Sequence, residues 1–504
     1  MKEIKKLWKD YKFVIIVSIL VGFVVHLPLF TKNILTGDVL LNTGYYSGYV
    51  WEVSLGRFGL YFLGVLKGFM VIPHLEIFLG IVLLILSMIL IFELLDIKKK
   101  WIQILCCLLG VVFPVCSCTF LFHYCSFSYM LAFFFSVAAI YLFVRSKNVI
   151  FQYLVPVILV IASLSFYQAY LGVSVSLLLC YYLVQISKKK DSFKKVLTGL
   201  VMVFVGVIFY YLLMKLSLVV FDVELSSYKN ANQAGLGILL KLPSQIIQSY
   251  KSFYQFYFTD VIVNNKNVGL TIWYLGFFLM LLVVSFVFLV KKKLPWYKIL
   301  LFYGMLVLLP ISLNMVFLVV GGDIQILQCA SYLLPFFLLA YFMQDGKIYP
   351  VVLAVLFIGI IRCYMIQDYA TYYTLNVTYQ KTYLMASDIR EDLNQYSPSK
   401  VVMITGNISY NEYYQKESTT ELGKMQELTY GYVSLYPLFW EEYTNMKNGW
   451  SRFFEEYLGY PITFVDYDKY QKILESHEYQ KMKCYPNKGG IKEIDGVVVV
   501  KLAN

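Results

Sequence analysis

The chain has 504 residues, 59% of them hydrophobic and only 15% charged, with a mean hydropathy of +0.66. Soluble domains run at about 45–50% apolar and about 25% charged, so this composition excludes an ordinary soluble enzyme and describes an integral membrane protein. The net charge of +12 does not signal nucleic acid, because the excess collects in short clusters between apolar segments: Lys98-Lys99-Lys100, Arg145 with Lys147, Lys188-Lys189-Lys190 and Lys291-Lys292-Lys293.

The first twelve residues carry Lys2, Lys5, Lys6, Lys9 and Lys12, which by the positive-inside rule hold this end in the cytoplasm. Phe13 to Phe30 then crosses outward. No small-residue cleavage site follows, and further apolar segments do, so the segment is a span rather than a removable signal. Past the outer loop 31–74, the pattern predicts Leu75 to Ile97 inward, Ile102 to Phe122 outward and Phe127 to Val144 inward. The run from Val149 to Ile186 is too long for one crossing and predicts a hairpin turning near Ser165-Phe166-Tyr167-Gln168. Phe193 to Phe221 leads to a long outer loop, 222–269. Leu270 to Val290 returns, and Ile299 to Val320, Ile324 to Met343 and Tyr349 to Ile366 complete about eleven crossings. Each basic cluster then falls on one side.

Phe58 to Ile72 is apolar but holds Gly59, Gly64, Lys67 and Gly68 before Pro73. If it crossed, every later cluster would change sides. It is expected to lie along the outer surface, with Lys67 toward phosphates; a re-entrant segment is the alternative.

Residues 1–366 are thus expected to form a transmembrane domain and 367–504 an extracytoplasmic α/β domain. The second part is mildly acidic, with 14 basic and 18 acidic residues. Tyr372 to Leu393 predicts a helix extending from the last span, Lys400 to Ile404 a buried strand, Asp466 to Tyr479 a helix, and Ile491 to Leu502 a hairpin turning at Asp495-Gly496. The nine cysteines form no disulfide framework, and eight lie in or beside apolar segments. Cys116 and Cys118 read first as one turn of apolar helix, with a thiolate metal site as the alternative.

This topology leaves few outward carboxylates in the membrane half: Asp38, Glu52, Glu76, Asp222, Glu224, Asp260 and Asp323. Inverting sugar transfer needs one base to take the acceptor's proton. A phosphate leaving group needs no acid, only a cation beside it. Asp38 with Arg57, on one outer loop, fits that division of labour. The plainer reading stays open: Asp38 as a solvated turn residue after Gly37, and Arg57 as a headgroup anchor. Tyr167 and Gln168 either contact sugar or satisfy a buried turn; Asp323 either supports the site or ends an outer turn after two glycines. No metal-ligand spacing stands out, and a divalent ion at Asp38 stays open.

Three stretches carry a family resemblance. Asn33 to Asp38 followed by Ser54-Leu55-Gly56-Arg57-Phe58, then Ser165-Phe166-Tyr167-Gln168-Ala169-Tyr170, then Tyr485-Pro486-Asn487-Lys488-Gly489-Gly490 through Leu502, resemble the first outer loop, the hairpin turn and the closing strand pair of the bacterial Gtr type-two glucosyltransferase family. The resemblance implies a GT-C-like architecture, an outer-loop acid (Asp38) and a polyprenyl-phosphate sugar donor. Some GT-C enzymes place an Arg near the last spans for the donor phosphate; this chain has Gln325 and Gln328 there, which leaves Arg57, Lys67 or a tail residue for that role. Because nucleotide sugars are made in the cytoplasm, an outward site would draw on a sugar already flipped on a lipid carrier. The expected protein is a bacterial plasma-membrane glycosyltransferase. It would move one sugar, glucose as the resemblance implies, to a surface polysaccharide or teichoic-type acceptor, in contact with membrane lipids and no nucleic acid. A polysaccharide polymerase or ligase is the alternative. A lipid-linked saccharide flippase is disfavoured, since the mid-span segments are nearly free of charge.

Overall fold

The computed structural model describes residues 2–46, 48–228, 238–320, 324–396, 401–408, 411, 421–430 and 442–503. They fall into two compact units: residues 1–27, 44–368 and 430–432 in the first, and 28–43, 369–429 and 433–504 in the second.

The first unit is helical: α1 (Lys2–Val25), α2 (Tyr49–Ser54), α3 (Phe58–Leu66), α4 (Pro73–Leu95), α5 (Lys100–Val111), α6 (Pro114–Phe120), α7 (Ser126–Arg145), α8 (Val155–Phe166), α9 (Leu171–Ser187), α10 (Phe193–Val220), α11 (Ile238–Phe258), α12 (Leu270–Lys291), α13 (Trp296–Val307), α14 (Leu334–Met343) and the start of α15 (Ile348–Leu393). Among the described residues, seven helical segments are long and apolar enough to cross a bilayer, or eight if the bent pair α5–α6 makes one crossing. The count of about eleven is therefore not established by these helices.

Proline explains several interruptions. Between α5 and α6 the axis turns by 55°. Phe113 is extended because Pro114 follows it, and Pro114 occupies the first turn of α6, where its missing N–H costs nothing. Past α13 the helix likewise restarts at Leu309–Leu313, with Pro310 in its first turn. The expected hairpin between Val149 and Ile186 breaks at Tyr167, whose extended backbone separates α8 from a 3₁₀ turn, Gln168–Tyr170, that leads into α9.

Helix α9 is apolar all round and almost wholly buried, with α7, α10 and α14 among its neighbours. Serines supply polar links inside the bundle: Ser163 donates to the Ala132 carbonyl at 2.7 Å, and Ser176 to Ser312 at 3.0 Å. Small residues let helices close. A Cβ on Gly206 of α10 would stand 2.7 Å from Val160 of α8.

The expected long loop 222–269 contains α11. Its inward stripe is Gln245, Ser249, Ser252 and Phe256, at helical spacing, while Ile247, Tyr250 and Tyr254 are exposed. Three polar residues on the buried side hide this helix from a hydropathy reading.

The second unit carries a three-stranded sheet: β1 (Val401–Thr405), β2 (Ile491–Ile494) and β3 (Val497–Lys501), in the order β1-β3-β2. Strand β1 runs parallel to β3 with Val401 opposite Val497, and β2 pairs antiparallel with β3 through Asp495-Gly496. Both turn residues have positive φ, 50° and 74°, as the tight two-residue turn demands. Val497–Val500 are buried on both faces, which is why the central strand reads as an unbroken apolar run. Around it pack Met385, Ile389 and Leu393 of α15, Trp450 of α16 (Tyr443–Arg452) and Ile473 of α17 (Tyr467–Glu475).

Candidate functional site

The Ser54-Leu55-Gly56-Arg57 motif is a helix terminus. The N–H of Gly56 donates to Val53 O at 2.8 Å and that of Arg57 to Glu52 O at 2.8 Å, the paired bonds of a Schellman ending. Gly56 has φ +80°, and a Cβ there would meet the Tyr210 hydroxyl at 2.8 Å, so the position requires glycine twice over.

This ending aims the Arg57 side chain into an aromatic recess. Its Nη1 donates to Glu52 Oε2 and to the Tyr129 hydroxyl, both at 3.1 Å. The guanidinium lies 5.0 Å over the Tyr167 ring, and that ring stacks on Tyr129 at 4.4 Å and 17°. Glu52 is 4% exposed, and its other oxygen accepts from Tyr46 at 2.7 Å. With both oxygens engaged, Glu52 orients the arginine and is not poised as a base. Burial disfavours the guanidinium's charge, but Tyr129 and Glu52 outweigh it and hold Arg57 firmly protonated. Burial and then Glu52 push the Tyr46 phenol up. Arg57 Nε is buried and has no hydrogen-bond partner among the described residues.

Gln168 braces the same turn. Its Nε2 donates to Leu55 O at 2.7 Å and to the Tyr210 hydroxyl at 2.9 Å, and Tyr210 in turn donates to Gly56 O at 3.0 Å. The amide thus serves the turn's carbonyls. Arg57, Tyr167 and Gln168 are brought together in the first unit; Tyr46, Glu52, Tyr129 and Tyr210 complete the cluster.

The other expected residues lie elsewhere. Lys67, just past α3, forms an ion pair with Glu76 of α4. At about 1.5 Å per residue, the nine residues of α3 span about 13 Å, too short for a bilayer core of about 30 Å. Gly59 and Gly64 seat α3: added Cβ atoms would stand 2.3 Å from Ser165 Oγ and 2.4 Å from the Tyr49 ring.

Asp38 belongs to the second unit, half-buried in the short helix Gly37–Leu41. Thr36 caps that helix by accepting from Val39 N at 3.3 Å, Leu40 enters the core around the valine strand, and Arg452 Nη1 donates to Leu41 O at 2.6 Å. Asp323 lies outside the described residues. Among those described, no group of three or more His, Cys, Asp or Glu could hold a metal ion.

The apolar helices and the polar recess at Arg57 define a polytopic α-helical membrane protein. Residues 27–344, well over half of the chain, match the family Glucosyl transferase GtrII, and the chain belongs to that family. No curated protein and no solved structure matches it. Membership in a glucosyltransferase family assigns glycosyl transfer as its class of chemistry, with a sugar donor and an acceptor.

Sequence reasoning passed over Tyr129 and Tyr210, and counted Glu52 only as one outward carboxylate among seven. Glu52 carried a readable signal, because it stands three residues before the helix-ending Leu55-Gly56 and so faces the residue after the glycine. Tyr129 and Tyr210 come from distant helices and carried none.

Proposed function

We propose that the protein transfers a single glucose from polyprenyl phosphate to a surface polysaccharide or teichoic-type acceptor, with inversion. The acceptor hydroxyl oxygen attacks the anomeric carbon and the bond from that carbon to the phosphate oxygen breaks. Asp38 takes the hydroxyl proton, and the polyprenyl phosphate departs as an anion. Arg57 is the phosphate's cation. The observation that carries this reading is the unpartnered Nε of an arginine already fixed by Glu52 and Tyr129, in a chain of a glucosyltransferase family. A guanidinium so held offers a directed donor to an incoming phosphate with little ordering cost.

The orientation belongs to the same reading: N-terminus cytoplasmic, loop 31–74 and the second unit outside a bacterial plasma membrane. It is supported by the lysine clusters that follow alternate apolar segments.

The test is glucosyl transfer by the purified protein from a polyprenyl-phosphate glucose to acceptor glycan, comparing wild type with Asp38→Asn. We expect transfer to fall by about 10²-fold or more, the size of a general-base contribution. Transfer at the wild-type rate removes Asp38 from the mechanism. Transfer of pre-assembled oligosaccharides in place of glucose converts the reading to a polymerase or ligase.

A further inference from the structure

Lysines from three stretches far apart in sequence converge on one cavity of about 650 Å³ in the first unit. Lys98 and Lys99 follow α4, Lys188 and Lys189 follow α9, and Lys292 follows α12; against these five stand, among the described residues, only Asp96 and Asp345. Membrane topology requires cations on this face, and the helix C-termini account for a cation near each end. Neither requires them to line a single recess with an excess of three positive charges.

The recess is constructed. Asp96, in a left-handed backbone conformation (φ +64°), receives Lys188 Nζ at 2.8 Å and Lys98 Nζ at 3.5 Å. Gln344 fixes the same corner, donating to Asp96 O at 2.9 Å and accepting from Lys98 N at 2.8 Å. Lys188 lies 5.4 Å over the Tyr341 ring, whose hydroxyl meets Ser187 Oγ at 3.1 Å. Asp96 therefore neutralises part of the charge of Lys98 and Lys188. Lys99, Lys189 and Lys292 have no ion pair among the described residues.

A polar recess with surplus lysines takes an anion, and its position selects the source. It opens where apolar helices end, and α12 presents Leu282, Val283, Phe286 and Val290 outward, leading to Phe288 and Lys292 at its lining. We propose that this cavity binds the phosphate headgroup of an anionic phospholipid whose acyl chains lie along α12.

The experiment measures retention of phosphatidylglycerol against phosphatidylcholine by the purified full chain in a nonionic detergent, read by native mass spectrometry. The triple variant K99Q/K189Q/K292Q should lose about tenfold or more of its phosphatidylglycerol retention, with phosphatidylcholine and the thermal midpoint unchanged. The triple arginine variant should keep it, and so should K5Q/K6Q/K9Q, which removes equal charge elsewhere. If the triple glutamine variant does not fold, K292Q alone is read in the same way with a smaller loss. Equal loss in both glutamine triples, or none in the first, overturns the site. Stabilisation by millimolar inorganic phosphate that phosphatidylglycerol does not displace overturns the lipid assignment in favour of a free phosphate.

Discussion

The guanidinium carbon of Arg57 lies 5.0 Å from the centre of the Tyr167 ring, with Tyr129 stacked on that ring and bonded to the same arginine. A lysine at position 57 could meet Glu52 or Tyr129, but its three N–H groups rotate about one nitrogen and lack the rigid planar fork that fixes the direction of Arg57 Nε. Arg57→Lys should therefore fold and lose about 10²-fold in glucosyl transfer. Arg57→Ala should also destabilise, by about 3–5 kcal/mol, because the buried Glu52 loses its cationic partner and keeps only the Tyr46 hydrogen bond. The double change Glu52→Gln/Arg57→Gln should regain most of that stability and no activity. Thermal midpoints beside transfer rates check all three.

Lys67 and Glu76 offer a second separation of structure from chemistry. Lys67→Met strands a carboxylate that is 5% exposed, whereas Lys67→Met/Glu76→Gln does not. The single variant should be clearly less stable than the double, by about 2 kcal/mol or more in denaturant unfolding. If Lys67 only anchors α3, the double variant transfers glucose at nearly the wild-type rate. A loss of activity in a stable double variant would give Lys67 a place on the donor phosphate.

How far the sequence disclosed this site follows from the range of each interaction. Arg57 was legible as the cation that shares an outer loop with Asp38 and through the resemblance of the Gly-Arg-aromatic stretch; that Gly56 ends a helix emerged only from its backbone bonds. The turn at Tyr167-Gln168 was legible because an apolar run that long must fold back. The Asp495-Gly496 hairpin and its valine strand were legible for the same kind of reason. Helix α11 was hidden by the serines on its buried stripe. Tyr129 and Tyr210 reach Arg57 and Gly56 only through the packing of α7 and α10, which no single-chain spacing encodes. Lys67 looked like a surface cation because its partner, Glu76, lies beyond the Pro73 boundary that seemed to end the segment.

The seating of α3 predicts a steric cost. Gly59→Ala would place a methyl 2.3 Å from Ser165 Oγ and 3.0 Å from the Ser165 carbonyl oxygen. The hydroxyl can rotate away; the backbone cannot. The expected loss is about 1–3 kcal/mol of stability. Gly59→Ala/Ser165→Ala should recover only the part due to the hydroxyl, leaving the double variant between Gly59→Ala and wild type.

Asp96 gives the lysine-lined cavity a pH dependence whose sign can be worked out. Burial raises its carboxyl, but the hydrogen bond and charge of Lys188, with the charge of Lys98, outweigh burial and hold it below the usual carboxylate range. A group depressed in the folded state contributes stability that is fully present above its unfolded pKa, about 3.9, and is lost as pH falls through the folded value. Wild type and Asp96→Asn should therefore differ by a constant amount from pH 7 down to about pH 5, and converge below about pH 4. Its side chain is 35% exposed, so solvent and salt screen the pair and the gap should narrow at high ionic strength. Thermal midpoints in nonionic detergent, at two salt concentrations across that range, check both trends. A gap that widens on acidification would mean that Asp96 is held protonated at neutral pH and does not neutralise Lys188.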